Sequence, residues 1–510
     1  MKPFRTPDTA GRRIAFRLLA VLVGLMPFLL MEAGLRLWWP SERQPQEAVD
    51  RDPLVDLHQL RPLFEPSADA ATLAIPAARS NFFRPASFLV EKPAHARRVF
   101  VIGGSTVQGR PYATETAFPK LLELQLQASS PDVQWQVINC GGVSYASYRV
   151  AAIVDEVLNY QPDLLIVYTG HNEFLEARTY ARHRHVPRWL APTLAAGGRL
   201  RVVRAMAALV PPEAPKPTRL PPEVDARLDH SGGLDGYQRD DAFRQAIEQH
   251  FAITLRRIVD AAATADVPLL LCVPASNTIE VPPFKTTMSD QASEAMRASW
   301  QRVRNRDLPW GERQQACEDL LAADPRHAGA AYLLGRQLWE TKHYEAAAGW
   351  LRLARDFDVC PLRATSVIEQ TVRAIAAEHD VPLLDVPQLF ADPRHPELAS
   401  PKRFVDHVHP AIYGGHTALA DALHDRIVQH WPEWTDLSAA DRQTQHAARQ
   451  AAVQQYLGTI DESYFQRGRQ RLSGLERWAA GRAADPLQVA DPLQVADPLQ
   501  VAETLQVVEP

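Results

Sequence analysis

The chain reads as an α/β protein: a five-stranded parallel sheet covered by helices on both faces, with a helical insertion and an N-terminal transmembrane helix. Three observations predict this. Five short runs are continuously apolar rather than alternating, the mark of strands buried on both faces. Segments with helical spacing separate them, the rhythm of crossover connections. A basic N-terminus leads into a long apolar stretch.

Lys2, Arg5, Arg12, Arg13 and Arg17 precede an unbroken apolar run from Leu18 to Met31. That core is short for a span of roughly 20 residues. Extension over 14–39 completes it, with Arg17, Glu32 and Arg36 near the ends able to snorkel. Trp38 and Trp39 suit the far interface, and the basic residues set 1–13 in the cytoplasm. A cleaved signal peptide is the competing reading, but no A-x-A site follows the run. The expectation is an uncleaved single-pass anchor in the cytoplasmic membrane, with all that follows on the periplasmic side.

Residues 40–96 are irregular and proline-rich and read as a membrane-proximal segment packed on the main domain. The α/β rhythm then occupies 97–289 and 361–435. Its strands are Arg98–Ile102, Trp135–Asn139, Asp163–Tyr168, Pro268–Val273 and Pro382–Val386. Helices are expected over Ala117–Gln127, Tyr148–Leu158, Ala242–Ala263 and Ser366–Glu378.

Between Glu176 and Gln238 lies Arg/His- and proline-rich sequence that includes the basic amphipathic piece Arg199–Val210, read as a solvated helix or a membrane-surface contact. Residues 290–360 read as helix after helix. Ala331, Leu334, Gly335, Leu338, Ala347, Leu351 and Ala354 fall at the offsets of a tetratricopeptide repeat, and Pro325 closes a poorer copy. Two copies cannot build a solenoid, so an inserted helical hairpin is expected, with a protein partner as one use for it. Residues 436–480 form a polar helical extension. The tail, 481–510, repeats ADPLQV; proline every six residues forbids a continuous helix, and the tail reads as disordered.

Hydrophobic residues make up 46% and charged residues 23%, enough for a real core. The formal net charge of −5 argues against a nucleic-acid partner. Cys140, Cys272, Cys317 and Cys360 are too scattered for a disulfide framework or a CxxC zinc site. Cys140 and Cys272 sit in or beside apolar runs and read as core residues; a Cys317–Cys360 pair depends on a distance that sequence does not supply.

Four blocks carry chemistry, and three follow strands at the sheet edge where open α/β proteins bind ligands. Gly103-Gly104-Ser105-Thr106-Val107-Gln108-Gly109 exposes a serine at a strand-to-helix turn. Asn139–Ser147 is a small-residue loop whose N–H groups can approach a substrate. Gly170-His171-Asn172-Glu173 offers an asparagine amide to a developing oxyanion. The last, Asp406-His407-Val408-His409-Pro410, sets a carboxylate three residues before a histidine, able to hold Nδ1–H and leave Nε2 as a general base. The rival reading of this block makes His407 and His409 metal ligands with Asp406 and His183 or His185, though no other cluster has ligand spacing. His171 and His416 read as structural.

In this order, Gly-Gly-Ser105-x-x-x-Gly109, the Asn139–Ser147 loop, Gly170-x-Asn172-Glu173 and Asp406-x-x-His409 resemble the SGNH (GDSL-like) hydrolases. The resemblance covers about 97–290 and 360–432. It implies the family's flavodoxin-like, three-layer fold, with Ser105 as nucleophile, His409 as base and Asp406 orienting it. The oxyanion hole would be the N–H groups of Ser105 and of the second loop at Ser144, with the Asn172 side chain. No cofactor and no metal are implied. Three positions depart from the family: Gly104 stands for its aspartate, Ser144 for its glycine, and Glu173 for the aspartate after the asparagine. Asp385, near the fifth strand's end, is an alternative carboxylate with a structural role expected.

The expected activity is hydrolysis of an ester on an envelope glycan or lipid through an acyl-enzyme. An O-acyltransferase acting on an envelope polysaccharide, and a non-catalytic scaffold binding through the helical insertion, are the alternatives.

Overall fold

The computed structural model describes Met26, Met31 and residues 52–482 except 53, 58–59, 69, 179–217 and 436–440; of 441–444 and 475–482 the backbone alone is described. The expected anchor (apart from the two methionines), Arg199–Val210, His183, His185 and the hexad repeats lie outside these residues. Among the described residues no helix is long and apolar enough to cross a membrane. The chain divides into two compact units, Met1–Arg51 with Thr179–Pro217 and Asp52–Arg178 with Thr218–Pro510. The second is the unit that follows.

Its centre is a sheet of β1 (Ala96–Gly103), β2 (Gln134–Gly141), β3 (Leu164–Tyr168), β4 (Leu269–Val273) and β5 (Leu383–Asp385). Every neighbouring pair is parallel, in the order β5-β4-β3-β1-β2. All five expected strands are present. β5 is shorter than Pro382–Val386, because the Asp385 side chain accepts from Gln388 N and turns the chain into a short helix at Val386.

The strand order reverses direction between β1 and β3, the switch point at which such sheets hold ligands. Register makes that point usable. Gly103, the last residue of β1, pairs with both Gly141 of β2 and Tyr168 of β3. Three strands therefore end level, and the loops that follow them start side by side.

Helices cover both faces. Phe118–Ser129 (α2; α1 is the short turn of helix Ser105–Gln108), Thr417–His430 (α10) and Asp441–Leu457 (α11) pack on one. Ser147–Val157 (α3), Asp241–Thr264 (α4) and Ser366–Glu378 (α9) pack on the other. Successive strand residues serve opposite faces. Val99 and Val101 join Phe118, Leu122 and Leu423 on the first, while Phe100 meets the rings of Phe64 and Phe88 on the second. Every residue of β3 and β4 is buried, which is why these strands read as apolar runs.

The irregular segment before β1 is more ordered than its sequence suggests. Glu65–Pro66, Thr72–Ala74 and Ser87–Leu89 form an antiparallel sheet, and Val55–Leu57 pairs in parallel with Thr218–Leu220. Strands of two or three residues are too short to show a period.

Residues 290–360 hold four helices: α5 (Glu294–Arg304), α6 (Trp310–Ala323), α7 (Ala328–Glu340) and α8 (Tyr344–Asp356). Cys317, Leu320, Ala331, Leu334, Ala347 and Leu351 share their core. Tyr332 and Arg336 donate to the Ile279 carbonyl, tying the insertion to the chain after β4. All four cysteines are free thiols; Cys360 belongs to a separate cluster with Tyr237 and Leu228.

α7 and α8 touch at Gly335, where a Cβ would lie 2.8 Å from Leu351 Cγ and 3.1 Å from its backbone N. Overpacking costs about 1–3 kcal/mol, more than the ~1 kcal/mol that replacing a helical glycine returns. Gly335→Leu is expected to lower the thermal midpoint by several degrees in a calorimetric scan. An unchanged or raised midpoint would mean that the two helices part without cost.

Candidate active site

The serine comes first. Gly104, extended at φ −89°, precedes α1, so Ser105 is the first residue of a four-residue helix and its N–H has no acceptor within it. The turn is anchored on the neighbouring strand: Asn139 donates to Val107 O at 2.8 Å, and Gln108 Nε2 donates to Gly141 O at 3.2 Å.

The histidine arrives from the last loop. Phe404 and Pro410 form an antiparallel bridge, and Val405 N donates to His409 O at 2.9 Å, closing a tight turn. Within it, Asp406 Oδ1 accepts from Val408 N (2.9 Å) and His409 N (2.8 Å). The carboxylate is thus fixed before it meets the ring. Its Oδ2 lies 2.6 Å from His409 Nδ1, and His409 Nε2 lies 2.8 Å from Ser105 Oγ. The three residues form one hydrogen-bonded chain, with His409 buried and Ser105 partly exposed.

Burial pushes the Asp406 carboxyl up, but the His409 and His407 imidazoles and the bonds from His409 hold it well below the usual carboxylate range. It stays ionised beside His409. The surrounding rings stay neutral. Burial, with the neighbouring His407 and His409 imidazoles and Arg355, lowers His171 to about 3, and burial near His409 lowers His416 to about 3. Each Nδ1 accepts a backbone N–H, from Ala364 and Phe118 respectively, the structural part expected of both. His407 is lowered to about 4, burial outweighing Asp406. Among the described residues no group of three His, Cys, Asp or Glu is arranged to hold a metal ion. Both His409 nitrogens are engaged within the chain of bonds.

The donors come from the two level loops. Asn172 Nδ2 donates to Tyr145 O at 3.0 Å, which spends one of its two amide hydrogens on the second loop and leaves the other. The same amide explains Gly104: a Cβ there would lie 2.7 Å from Asn172 Nδ2. Ser144 has φ +63°, a left-handed conformation rare outside glycine. It presents a backbone N–H, the group expected of this position.

Sequence reasoning missed what holds these loops. Glu173 accepts from Ser147 N at 2.7 Å and Ser147 Oγ at 2.9 Å, fastening the Asn172 loop to the start of α3. Glu176 forms a buried pair with Arg149, both bonds 2.7 Å, and accepts from Tyr148 Oη at 2.6 Å. An arginine and a tyrosine on the inner face of α3, among Val150, Ile153 and Val154, were the available signal. Asp385 is elsewhere: it pairs with Arg373 at 2.7 Å and caps the turn after β5.

No family model matches the chain, and no curated protein matches it. Solved structures do align with it. One is a putative lipolytic protein of the G-D-S-L family from Desulfitobacterium hafniense, at 12% identity, covering 64% of this chain and 98% of that one, with a TM-score of 0.27. A lipase/acylhydrolase from Enterococcus faecalis aligns at 12% identity over 65% and 95%, TM-score 0.29. An acetyl xylan esterase from Geobacillus stearothermophilus aligns at 15% over 65% and 94%, TM-score 0.29.

Two expectations follow. A histidine held neutral in the fold contributes stability that is complete above the unfolded value near 6.5 and is lost as pH falls towards its folded value. Between pH 7 and 4.5 the urea midpoint should therefore fall, and fall less steeply in His171→Gln. Carboxyls raised by burial, Glu173 among them, act in the opposite sense, so the difference between the two proteins is the readout. Parallel curves would show that His171 is not a buried neutral ring. Separately, Ser144→Gly keeps the N–H and relieves a left-handed backbone costing about 1 kcal/mol; the thermal midpoint should rise slightly, and a lower one would contradict the conformation given to Ser144.

Proposed function

We propose that this chain is a serine esterase of the SGNH type, with Ser105 as nucleophile, His409 as general base and Asp406 as the group that orients it. One observation carries the reading: Asp406, His409 and Ser105 are linked by hydrogen bonds of 2.6 and 2.8 Å, in the order that base-assisted attack requires.

The chemistry follows from those atoms. Ser105 Oγ gives its proton to His409 Nε2 as it attacks the ester carbonyl. The imidazolium that forms faces an ionised Asp406, and the neighbouring neutral histidines add no charge against it. Negative charge gathers on the carbonyl oxygen, for which the N–H groups of Ser105 and Ser144 and the free amide hydrogen of Asn172 are the donors. His409 then returns the proton to the leaving alcohol, and a serine-bound acyl group remains. Water, activated by the same imidazole, releases the acid.

The substrate reading is an acylated glycan or lipid of the cell envelope. It rests on the basic and apolar N-terminal sequence, which suits an anchor that keeps the site outside the cytoplasmic membrane. The helical insertion is read as tetratricopeptide-like, on its repeat offsets.

Labelling with a neutral fluorophosphonate tests the nucleophile. The wild type is expected to label at Ser105, and Ser105→Ala and His409→Ala are expected not to. Asn172→Ala should still label, with kcat on an aryl acetate down about 10²–10³-fold. Labelling that survives in Ser105→Ala would remove the reading, as would an Asn172→Ala enzyme of undiminished kcat for its oxyanion donor.

A further inference from the structure

Beside the nucleophile lie three arginines that the reaction above does not use. Arg110 closes the nucleophile turn, its N–H donating to Ser105 O at 3.2 Å. Arg471 comes from α12 (Glu462–Arg482), part of the C-terminal extension, and donates to Tyr112 O at 3.0 Å and Pro111 O at 3.4 Å. α12 is seated there firmly, since Tyr464 Oη bonds to Ala113 N at 3.0 Å and Thr116 Oγ1 at 2.9 Å. Arg84 lies two residues after Phe82, whose carbonyl accepts from Val143 N at 2.8 Å in the second loop and from Gln108 Nε2 at 2.7 Å in α1.

Their charge is uncompensated. Among the described residues no carboxylate forms an ion pair with Arg84, Arg110 or Arg471, and Arg84 Nε is buried without a hydrogen-bond partner. Burial lowers the pKa of Arg84 and Arg110, and repulsion adds to it, from Arg471 on Arg84 and from both other arginines on Arg110. The carboxylates within their field are Glu115, which is exposed, and Asp406, which already accepts three bonds from Val408 and His409. Three half-buried guanidiniums are seldom collected beside a reactive serine without an anion to hold, since each desolvated cation is costly until it is paired.

We propose that Arg84, Arg110 and Arg471 form an anion subsite next to Ser105, so that the ester it takes carries a carboxylate or phosphate close to the acylated oxygen. The inference rests on the esterase reading and names its substrate class. Planar guanidinium forks match either oxyanion, and α12 contributes to the subsite as part of the substrate pocket.

Matched esters test it. O-acetyl methyl glucuronide is compared with O-acetyl methyl glucoside, and 1-acetyl-glycerol-3-phosphate with 1-acetylglycerol. In at least one pair kcat/KM for the charged ester should exceed that for the neutral one tenfold or more, and the pair that shows it tells carboxylate from phosphate. The preference should shrink about tenfold in Arg110→Gln and in Arg471→Gln, as the loss of one charge-assisted bond implies. Because each ratio is taken within one protein, a partly misfolded variant does not imitate the result. A second measurement uses the wild type alone: inorganic phosphate should slow fluorophosphonate labelling of Ser105 more than sodium chloride of equal ionic strength. Equal turnover of charged and neutral esters, or equal slowing by the two salts, overturns the anion subsite and leaves the esterase standing. Turnover of neither ester together with absent labelling removes both.

Discussion

The hydrogen bond from His409 to Ser105 joins residues 304 positions apart, and almost everything else in the unit can be read as a condition for it. At 2.8 Å there is little tolerance, since a proton moves well only across a short, aligned contact. Neither partner is placed by its own neighbours in sequence alone. Ser105 is held by a strand end and by α1's bonds to β2, while His409 is held by a tight turn that Asp406 itself organises. Level strand ends bring the two together. Where β1, β2 and β3 finish in register at Gly103, Gly141 and Tyr168, their loops converge on one spot and the final loop needs only to reach it.

The parts of this that sequence made legible are the parts that local physics dictates. Continuous apolar runs can be satisfied only between two helical layers, so β1 to β5 and the helices around them could be placed from Val99–Ile102, Leu164–Tyr168 and Leu269–Val273. Asp406 and His409 were legible because three residues on a tight turn suffice to pair them. Asn172 was legible as an amide just after a strand, while Ser144 came through resemblance. The small strands before β1 stayed hidden because two or three residues carry no period. Gly104 is explained by Asn172, 68 positions later, an approach no local pattern encodes. The Arg149–Glu176 pair left only a faint trace, an arginine among apolar positions, since burial makes a charge informative and burial is a property of the fold.

That pair also shows how the site is kept rigid. Asn172 lies between Gly170 and Glu173, on a loop whose own backbone offers few bonds. Glu173 and Glu176 bind it to the first turn of α3, where unsatisfied N–H groups and positive potential favour carboxylates. Arg149 then reaches on to the carbonyls of Pro221, Pro222 and Glu223. Buried ion pairs of this kind add little net stability, because desolvation offsets attraction, but losing one partner strands the other. Their value here is geometric: they fix the loop that carries the Asn172 amide, the donor that the proposed reaction needs at a defined place.

Charge, finally, is distributed around the site with a consistent logic. Three histidines near His409 are held neutral by burial, while the Asp406 carboxylate beside it stays ionised. Arginines, which burial does not readily neutralise, stand around the Ser105 turn, with Arg110 near enough to Asp406 to feel its charge. In the proposed reaction the His409 imidazole becomes positive, and cations next to it would raise the barrier to proton transfer. An anion bound among them would cancel that penalty only when the correct ester is present. A site built this way would use the anion recognised by Arg84, Arg110 and Arg471 to ease the proposed proton transfer as well as to bind the ester.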